Sequence, residues 1–257
     1  MMQYFSRKTI AVIVAHPDDE TLWVGGTILN HPFCNWYVVC LSRASDSDRS
    51  PKFYKTLETL HAKGIMGDLD DGPNQTPINE NELQQCILDL LPKKHFDIIF
   101  THNPNGEYTR HLRHEEVSKA VISLWHLGKI KTSELRTFAY EDGEKAYVPV
   151  AIEDASLFSI LTKNIWEKKR FLMEKIYGYS NTSWEVLTTP RIEAFWQFSN
   201  SLDAIKWLHG NGVIKAKDNR QFENIRKQYR KIVSKICIDK MDSIKKAINT
   251  KANNGSL

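Results

Sequence analysis

Two stretches of the chain are apolar at almost every position and have the length of buried strands. Residues 9–14 read Thr-Ile-Ala-Val-Ile-Val, and residues 96–101 read Phe-Asp-Ile-Ile-Phe-Thr. Such runs are typical of strands that are covered on both faces, as in a parallel sheet. A third apolar run, residues 36–41, lies between them. The pattern therefore predicts a sheet with parallel central strands.

Segments with helical spacing of apolar positions alternate with these strands. The spacing predicts helices over 52–63, 79–91, 114–125 and 154–177, more helix beyond residue 190, and short strands over 136–140 and 146–150. Alternating strands and helices predict an α/β fold, with a Rossmann-like, mostly parallel sheet flanked by helices and extra C-terminal helices. A length of 257 residues fits one domain over 1–257, in which 190–257 form a C-terminal helical extension.

Composition narrows the class of protein. The hydrophobic content of 41% supports an ordinary core, and the four cysteines are scattered without metal-ligand spacing, so we expect free thiols. The N-terminus lacks the apolar segment of a signal peptide, and no run approaches the ~18 apolar residues of a membrane span. We therefore expect a cytoplasmic protein. The net charge of +4 is mild, and the basic residues from 215 to 251 follow an amphipathic helical pattern, which favours packing over nucleic-acid binding.

A dense polar motif follows the first strand. Residues 16–20 read His-Pro-Asp-Asp-Glu, and active sites of open α/β sheets lie at the carboxyl ends of strands. His16 and Asp19 can reach one cation from a single turn, and zinc accepts such nitrogen and oxygen ligands. Asp18 is then placed to act as a general base on water. The alternative is a turn held by Asx side chains with an acid capping the helix, and four polar residues in succession favour the metal site.

A second polar loop follows the strand at residues 96–101 and carries His102, His111 and His114. The last two are three residues apart, which places them on one face of a turn or helix. Parallel strands in one sheet deliver both loops to the same edge, so this loop is the natural source of a third ligand. Alone, this spacing is weak evidence, because surface histidines often show it.

The two motifs together resemble the LmbE-like, or PIG-L, family of zinc-dependent N-deacetylases. The first motif carries most of the resemblance, and residues 101–108 (Thr-His-Asn-Pro-Asn-Gly-Glu-Tyr) are similar to a form found in one branch of the family. The resemblance covers about the first 140 residues. It implies hydrolytic removal of an N-acetyl group from an amino sugar such as an N-acetylglucosamine conjugate, with one zinc ion per chain. Other divalent metals fit the same donors.

The resemblance also implies roles for individual residues. His16, Asp19 and His114 become the zinc ligands, Asp18 the general base, and His111 the group that stabilises the oxyanion or protonates the leaving amine. The chain departs from the family pattern at Thr109 and Arg110, which stand where the branch has a single Gly before the first histidine. This extra residue bears on the placement of His111. For His102 we predict a loop-ordering hydrogen bond, and it is the reserve candidate for a histidine of the metal site.

Further polar loops supply candidate substrate contacts. Arg43 and Asp46 follow the strand at 36–41, and we expect them to bind sugar hydroxyls or an attached acidic group, although a solvated loop explains them equally well. Residues 68–73 (Asp-Leu-Asp-Asp-Gly-Pro) resemble a family turn, and we predict a structural role for them.

The sequence thus predicts a zinc-dependent N-deacetylase acting on a small N-acetylated sugar or conjugate. The alternatives are an amide hydrolase for another N-acyl substrate, such as a thiol conjugate or antibiotic precursor, a phosphoesterase, and a non-catalytic sugar- or metal-binding relative. A phosphoesterase would favour two metals and more carboxylates, and a binding relative should have lost the base or a ligand. The sequence leaves the acyl substrate, the native metal and the oligomeric state open, and a homo-oligomer is compatible with it.

Overall fold

The centre of the fold is a strand that is buried along its length. The structure, a computed structural model, describes residues 7–108 and 110–210. Strand β1 (Thr9–Val14) forms parallel pairs with β2 (Asn35–Cys40) on one side and with β5 (Ile98–Thr101) on the other. From Ala11 to Val14 the side chains of β1 have no exposed surface. The prediction of buried parallel strands is confirmed.

Most strands belong to one sheet. The other strands are β3 (Lys63–Met66), β4 (His95–Phe96), β6 (Lys131–Thr132), β7 (Leu135–Phe138), β8 (Tyr140–Glu141), β9 (Val150–Ala151), β10 (Leu157–Ile160) and β11 (Ile192–Phe198). The main sheet has seven strands in the order β10-β11-β7-β5-β1-β2-β3. The five strands from β7 to β3 are parallel, and β11 runs antiparallel to both β7 and β10. The expected α/β fold with a mostly parallel sheet is therefore confirmed.

Two groups of helices flank this sheet. The helices are α1 (Asp19–Asn30), α2 (Arg49–Leu60), α3 (Glu80–Leu90), α4 (Leu112–His126), α5 (Lys163–Phe171), α6 (Trp184–Thr188) and α7 (Ser201–His209). A π-helical turn, Leu172–Ile176, continues α5. Helix α1 packs against α2 and α5, whereas α4 packs against α3 and α7. Helices α1, α2 and α4 each follow a parallel strand, as the alternating pattern predicts.

The structure corrects three of our predictions in the part of the chain after β8. The segment predicted as a strand at 146–150 is mainly a turn, and β9 begins only at Val150. The predicted helix at 154–177 is interrupted by β10, so α5 begins at Lys163. Of the helix predicted beyond residue 190, β11 takes the first part and α7 confirms the part over Ser201–His209. Short apolar runs carry no period that separates strand from helix, and pairing with neighbouring strands decides the outcome for β10 and β11.

Part of the predicted C-terminal extension lies outside the described residues. This applies to residues 211–257, and with them to the amphipathic basic helix predicted over 215–251. Within the described residues, Cys34, Cys40 and Cys86 are free thiols, as expected. No helix in the described part of the chain is both long and apolar enough to span a bilayer.

A buried ion pair joins the antiparallel edge to the helices. Glu193 lies in β11 and accepts hydrogen bonds from the backbone N–H groups of Gly26 (2.8 Å) and Thr27 (2.7 Å) in α1. Lys169 of α5 approaches the same carboxylate at 2.7 Å, and neither side chain of this pair is exposed. The Lys169 ammonium also donates to the carbonyl of Pro190 at 3.3 Å. One carboxylate therefore connects a strand to two helices.

We predict that the Lys169→Met variant lowers the free energy of unfolding by about 3 kcal/mol, because it leaves the Glu193 charge buried without its cation. Urea denaturation measures this change. Lys163→Met on the same helix is the matched control, since its side chain is 78% exposed and lies 3.6 Å from Glu167. It should leave the stability nearly unchanged. Equal losses in the two variants would contradict the prediction.

Candidate metal centre

The two polar loops meet at one edge of the sheet. The parallel pairing of β1 with β5 sets Ile13 opposite Thr101. The chain therefore leaves both strands side by side, and the loops that carry His16 and His102 start next to each other. Helix α1 begins at Asp19 and α4 at Leu112, so each loop is short and ends in a helix.

Three side-chain atoms converge between these loops. His16 Nδ1 lies 3.1 Å from Asp19 Oδ2 and 3.1 Å from His114 Nε2, and His114 Nε2 lies 3.4 Å from Asp19 Oδ2. Asp19 and His114 are buried, and the His16 side chain is 13% exposed. The three residues implied by the family resemblance as zinc ligands are therefore brought into mutual contact.

The other polar atoms of these three side chains already have partners. His16 Nε2 donates to Asp71 Oδ1 at 3.1 Å, and His114 Nδ1 donates to Glu107 Oε2 at 2.5 Å. Asp19 Oδ1 accepts a hydrogen bond from Trp23 Nε1 at 3.1 Å. These partners place the ring protons away from the cluster, because a carboxylate can only accept. The two facing ring nitrogens therefore present lone pairs to each other and to a carboxylate oxygen.

This donor set fits a divalent cation such as zinc. Two lone pairs at 3.1 Å repel unless a proton or a cation lies between them. Ligands at about 2.0–2.1 Å from a tetrahedral zinc lie about 3.3 Å from one another, close to the separations observed here. Carboxylates that bind the outer nitrogens of ligand histidines are typical of such sites. Two further sets of described residues overlap with this one and also have donors close enough for a shared ion: His16, His111 and His114, and Asp19, His102 and His114.

Both nitrogens of His102 are engaged in ordering the loops. Its Nδ1 donates to Glu107 Oε2 and its Nε2 accepts from the backbone N–H of Ala15, both at 3.0 Å. Burial lowers the pKa of His102, but Glu107 and Asp19 outweigh this effect and raise the pKa to about 9. The Ala15 N–H nonetheless requires a lone pair on Nε2, so the neutral ring satisfies both contacts. These are the contacts of a loop-ordering side chain, the role that we predict for it.

His111 lies beside the cluster without a hydrogen bond to its buried nitrogen. Its ring stacks on His114 with centroids 4.4 Å apart and meets the edge of His16 at 4.6 Å. No described residue forms a hydrogen bond with its buried Nδ1. Burial, followed by the neighbouring His114, lowers the pKa of His111 to about 3, which leaves the ring neutral. Thr109 lies outside the described residues, whereas Arg110 pairs with Glu115 at 2.6 Å and fastens the loop to α4.

Asp18 lies next to the cluster in a strained backbone conformation. Its φ of 126° is rare for residues other than glycine, and its N–H donates to Glu20 Oε2 at 3.1 Å. Asp18 Oδ2 accepts hydrogen bonds from Arg49 Nη2 at 2.9 Å and from the Tyr179 hydroxyl. Burial raises the pKa of Asp18 to about 6, with a further contribution from Asp19, while Arg49 opposes the rise. No described residue forms a hydrogen bond with Oδ1.

The cluster opens into a cavity of about 440 Å³. The side chains of Arg43 and Asp46, predicted as substrate contacts, both line it. Arg43 forms a forked ion pair with Asp71, at 2.7 Å through Nη2 and 3.1 Å through Nε. Asp46 Oδ1 accepts backbone hydrogen bonds that start α2. Both side chains therefore have structural partners within the cavity wall.

The sequence analysis missed four side chains that orient this site. Glu107 and Asp71 hold the outer nitrogens of the histidines, and Arg49 and Tyr179 hold Asp18. Glu107 belongs to the second motif, so its position before the histidines is a signal that could have identified it. Asp71 lies in the turn for which we predict a structural role. Arg49 and Tyr179 come from segments without a motif, and only the fold brings them to the site.

Sequence comparison supports the family resemblance over nearly half of the chain. Residues 11–125 match the model of the family described as PIG-L, GlcNAc-PI de-N-acetylase. The resemblance stated above is therefore confirmed for this segment, which contains the whole cluster. A curated relative, the uncharacterized protein L374 of Acanthamoeba polyphaga mimivirus, is 24% identical over 193 residues. That alignment covers 69% of this chain and 78% of the relative.

Solved structures share the fold. N,N'-diacetylchitobiose deacetylase from Pyrococcus horikoshii, solved with its inhibitor MPG, superposes with a TM-score of 0.59 and 16% identity, covering 77% of this chain and 85% of that chain. The conserved protein TT1542 from Thermus thermophilus gives a TM-score of 0.50 and 18% identity, covering 74% of this chain and 94% of that chain. At these identities the likeness shows a common fold.

We predict that the Glu107→Gln variant lowers zinc affinity by about 10- to 100-fold, because His114 loses the carboxylate that fixes its tautomer. Competition with a chromogenic chelator measures this affinity without any assumption about activity. Glu58→Gln, on an exposed part of α2, is the matched control and should bind zinc as the wild type does. Unchanged affinity in the Glu107 variant, with the fold intact by circular dichroism, would refute the ligand assignment of His114.

Proposed function

We propose that this protein is a zinc-dependent hydrolase that removes an N-acetyl group from an amino sugar or amino-sugar conjugate. The family match and the shared fold support N-deacetylation in general. The observation that carries the proposal is the convergence of His16 Nδ1, Asp19 Oδ2 and His114 Nε2 within 3.4 Å, with Asp18 beside them at a cavity. In this proposal these three residues hold one zinc ion per chain.

Asp18 is the general base in this proposal. A bound zinc ion would polarise the acetamide carbonyl and make an attacking water more acidic. Asp18 accepts the proton of that water at Oδ1, because Arg49 and Tyr179 already occupy Oδ2. The same contacts keep the carboxylate turned toward the cavity, so little reorientation is needed during the reaction. The strained backbone of Asp18 agrees with a residue whose position serves function rather than stability.

His111 stabilises the oxyanion, and the proton that Asp18 has taken from water passes to the leaving amine, because the neutral ring of His111 has no acidic proton to give. Its ring lies against His16 and His114, and the side chain lines the cavity. A neutral imidazole can donate one hydrogen bond to the negative charge that develops on the acetamide oxygen. The neutral ring carries one N–H, and because the His111 side chain lines the cavity, this group can donate to the acetamide oxygen of a bound substrate.

The rival functions make different demands on the same site. A phosphoesterase would favour a second metal and more carboxylate ligands, whereas the described donor groups share His114 and contain one carboxylate, that of Asp19. Another N-acyl substrate would use the same chemistry and differ only in the cavity walls. A binding relative would take up zinc without releasing acetate or another acyl group. Zinc stoichiometry, combined with acyl release from N-acetylated sugars and thiol conjugates, separates these cases. We propose further that the protein acts on a small molecule in the cytoplasm.

We predict that the Asp18→Asn variant retains zinc and loses deacetylase turnover, because the amide cannot accept the proton of water. Its zinc content, measured by elemental analysis, should equal that of the wild type. Acetate release should fall by about two to four orders of magnitude. Turnover close to that of the wild type would exclude Asp18 as the base.

Alanine variants of His111, which precedes α4, and of His114, in α4, should differ in their zinc content. His114→Ala should lose or weaken zinc binding and abolish activity, since it removes a ligand. His111→Ala should keep zinc while turnover falls by about two to three orders of magnitude, the usual cost of losing an oxyanion donor. Loss of zinc in the His111 variant with retention in the His114 variant would reverse the assignment. His102→Ala provides a comparison in which a loop-ordering side chain is removed.

A further inference from the structure

The short helix α6 forms part of the cavity wall. This helix brings the side chains of Trp184 and Glu185 to the cavity. The indole of Trp184 is 39% exposed and meets the ring of Tyr108 edge to face, with centroids 4.7 Å apart. Helix α6 thus presents an apolar surface and a carboxylate side by side.

The cations of the cavity wall are already neutralised. Among the described residues that line the cavity, Arg43 and Arg49 are the two with permanent positive charges. Arg43 forms its forked ion pair with Asp71, and Arg49 binds Asp18 and the carbonyl of Pro17. Both guanidinium groups are therefore paired with carboxylates, and Arg43 Nη1 also lies 3.7 Å from Asp46 Oδ2.

Carboxylates are in excess around the same cavity. Six of them line it, against two guanidinium groups, and a divalent cation would not balance this difference. The lining carboxylates belong to Asp18, Asp19, Asp46, Asp48, Asp71 and Glu185. Juxtaposed like charges are costly, so a cavity wall with excess negative charge disfavours anionic ligands. A phosphate carried by a substrate would meet this excess directly.

Glu185 differs from the other wall carboxylates. Asp46 accepts backbone hydrogen bonds at the start of α2, and Asp48 pairs with Lys52 at 2.7 Å. Glu185 is partly exposed, and no described side chain forms an ion pair or hydrogen bond with its carboxylate. Its charge is therefore available to a ligand that enters beside Trp184.

We propose that Glu185 selects substrates by charge, so that the site accepts uncharged or cationic N-acetylated amino sugars and rejects phosphorylated ones. This inference rests on the proposed deacetylation. Trp184 covers an apolar face of the sugar ring, while Glu185 accepts hydrogen bonds from hydroxyl or ammonium groups. A phosphate at either end of the sugar would bring like charges together at this wall.

The experiment compares N-acetylglucosamine derivatives that carry no charge, a negative charge or a positive charge. The probes are methyl N-acetylglucosaminide, N-acetylglucosamine 1-phosphate, N-acetylglucosamine 6-phosphate, and the cationic disaccharide of N-acetylglucosamine with glucosamine. Acetate release by the zinc-loaded full chain gives kcat/KM for each probe. We expect both phosphates to be at least about ten-fold poorer than the methyl glycoside, and the difference to shrink at high salt.

Substitutions at Glu185 then test whether this residue causes the discrimination between neutral and phosphorylated substrates. Glu185→Lys should narrow the difference between the methyl glycoside and the better phosphate by about ten-fold, and Glu185→Gln should give an intermediate value. Glu58→Lys makes the same charge change on an exposed part of α2 outside the cavity and should leave the ratio unchanged. Ratios between substrates are unaffected by the fraction of folded enzyme in each preparation.

The possible outcomes separate this inference from the proposed function. Acetate release from phosphorylated and neutral probes at equal rates would overturn the charge selection and leave the deacetylase intact. A substrate ratio that does not move in Glu185→Lys, or that moves equally in Glu58→Lys, would overturn the assignment to Glu185. No acetate release from any probe would overturn the proposed function, and the charge selection with it.

Discussion

One buried carboxylate determines the geometry of the candidate metal centre. Glu107 Oε2 accepts hydrogen bonds from His102 Nδ1 at 3.0 Å and from His114 Nδ1 at 2.5 Å, while Oε1 accepts the N–H of Asn103 at 2.7 Å. His102 Nε2 in turn accepts a hydrogen bond from the N–H of Ala15, which holds the neighbouring loop in place. Glu107 therefore fixes the loop after β5, the tautomer of His114 and the distance between the loops. His16 Nδ1 and His114 Nε2 face each other at 3.1 Å because of this arrangement.

The strained backbone of Asp18 is held in place by its neighbours. Its φ of 126° costs about 1–3 kcal/mol in a residue with a Cβ atom, so other contacts must hold it. Glu20 accepts the N–H of Asp18, and the Asp18 carbonyl accepts the N–H groups of Thr21 and Leu22, which starts α1. Arg49 reaches over from α2 to the side chain. The backbone conformation and the helix start thus place adjacent carboxylates, Asp18 and Asp19, in different surroundings.

The sequence is sufficient to predict those parts of the site that depend on short segments. His16, Asp18 and Asp19 lie within one turn, and continuous apolar runs mark the buried strands that carry both loops. His114 can be linked to them because neighbouring parallel strands end at one edge. Asp71 and Tyr179 cannot be found in this way, since no local period or spacing ties them to His16 or Asp18. Their contacts depend on where loops far along the chain come to lie.

The prediction of secondary structure fails in the part of the chain that supplies the cavity wall. The apolar spacing predicts helix over residues 154–177 and beyond residue 190, but β10 and β11 add an antiparallel edge to the sheet, and the chain between them forms α5 and α6. Glu193 then anchors this edge to α1, the helix that begins with Asp19. The segment that carries Tyr179, Trp184 and Glu185 is therefore anchored to α1, which contributes Asp19 to the cluster. Short motifs before residue 115 supply the cluster, whereas long-range strand pairing brings Tyr179, Trp184 and Glu185 to the cavity wall.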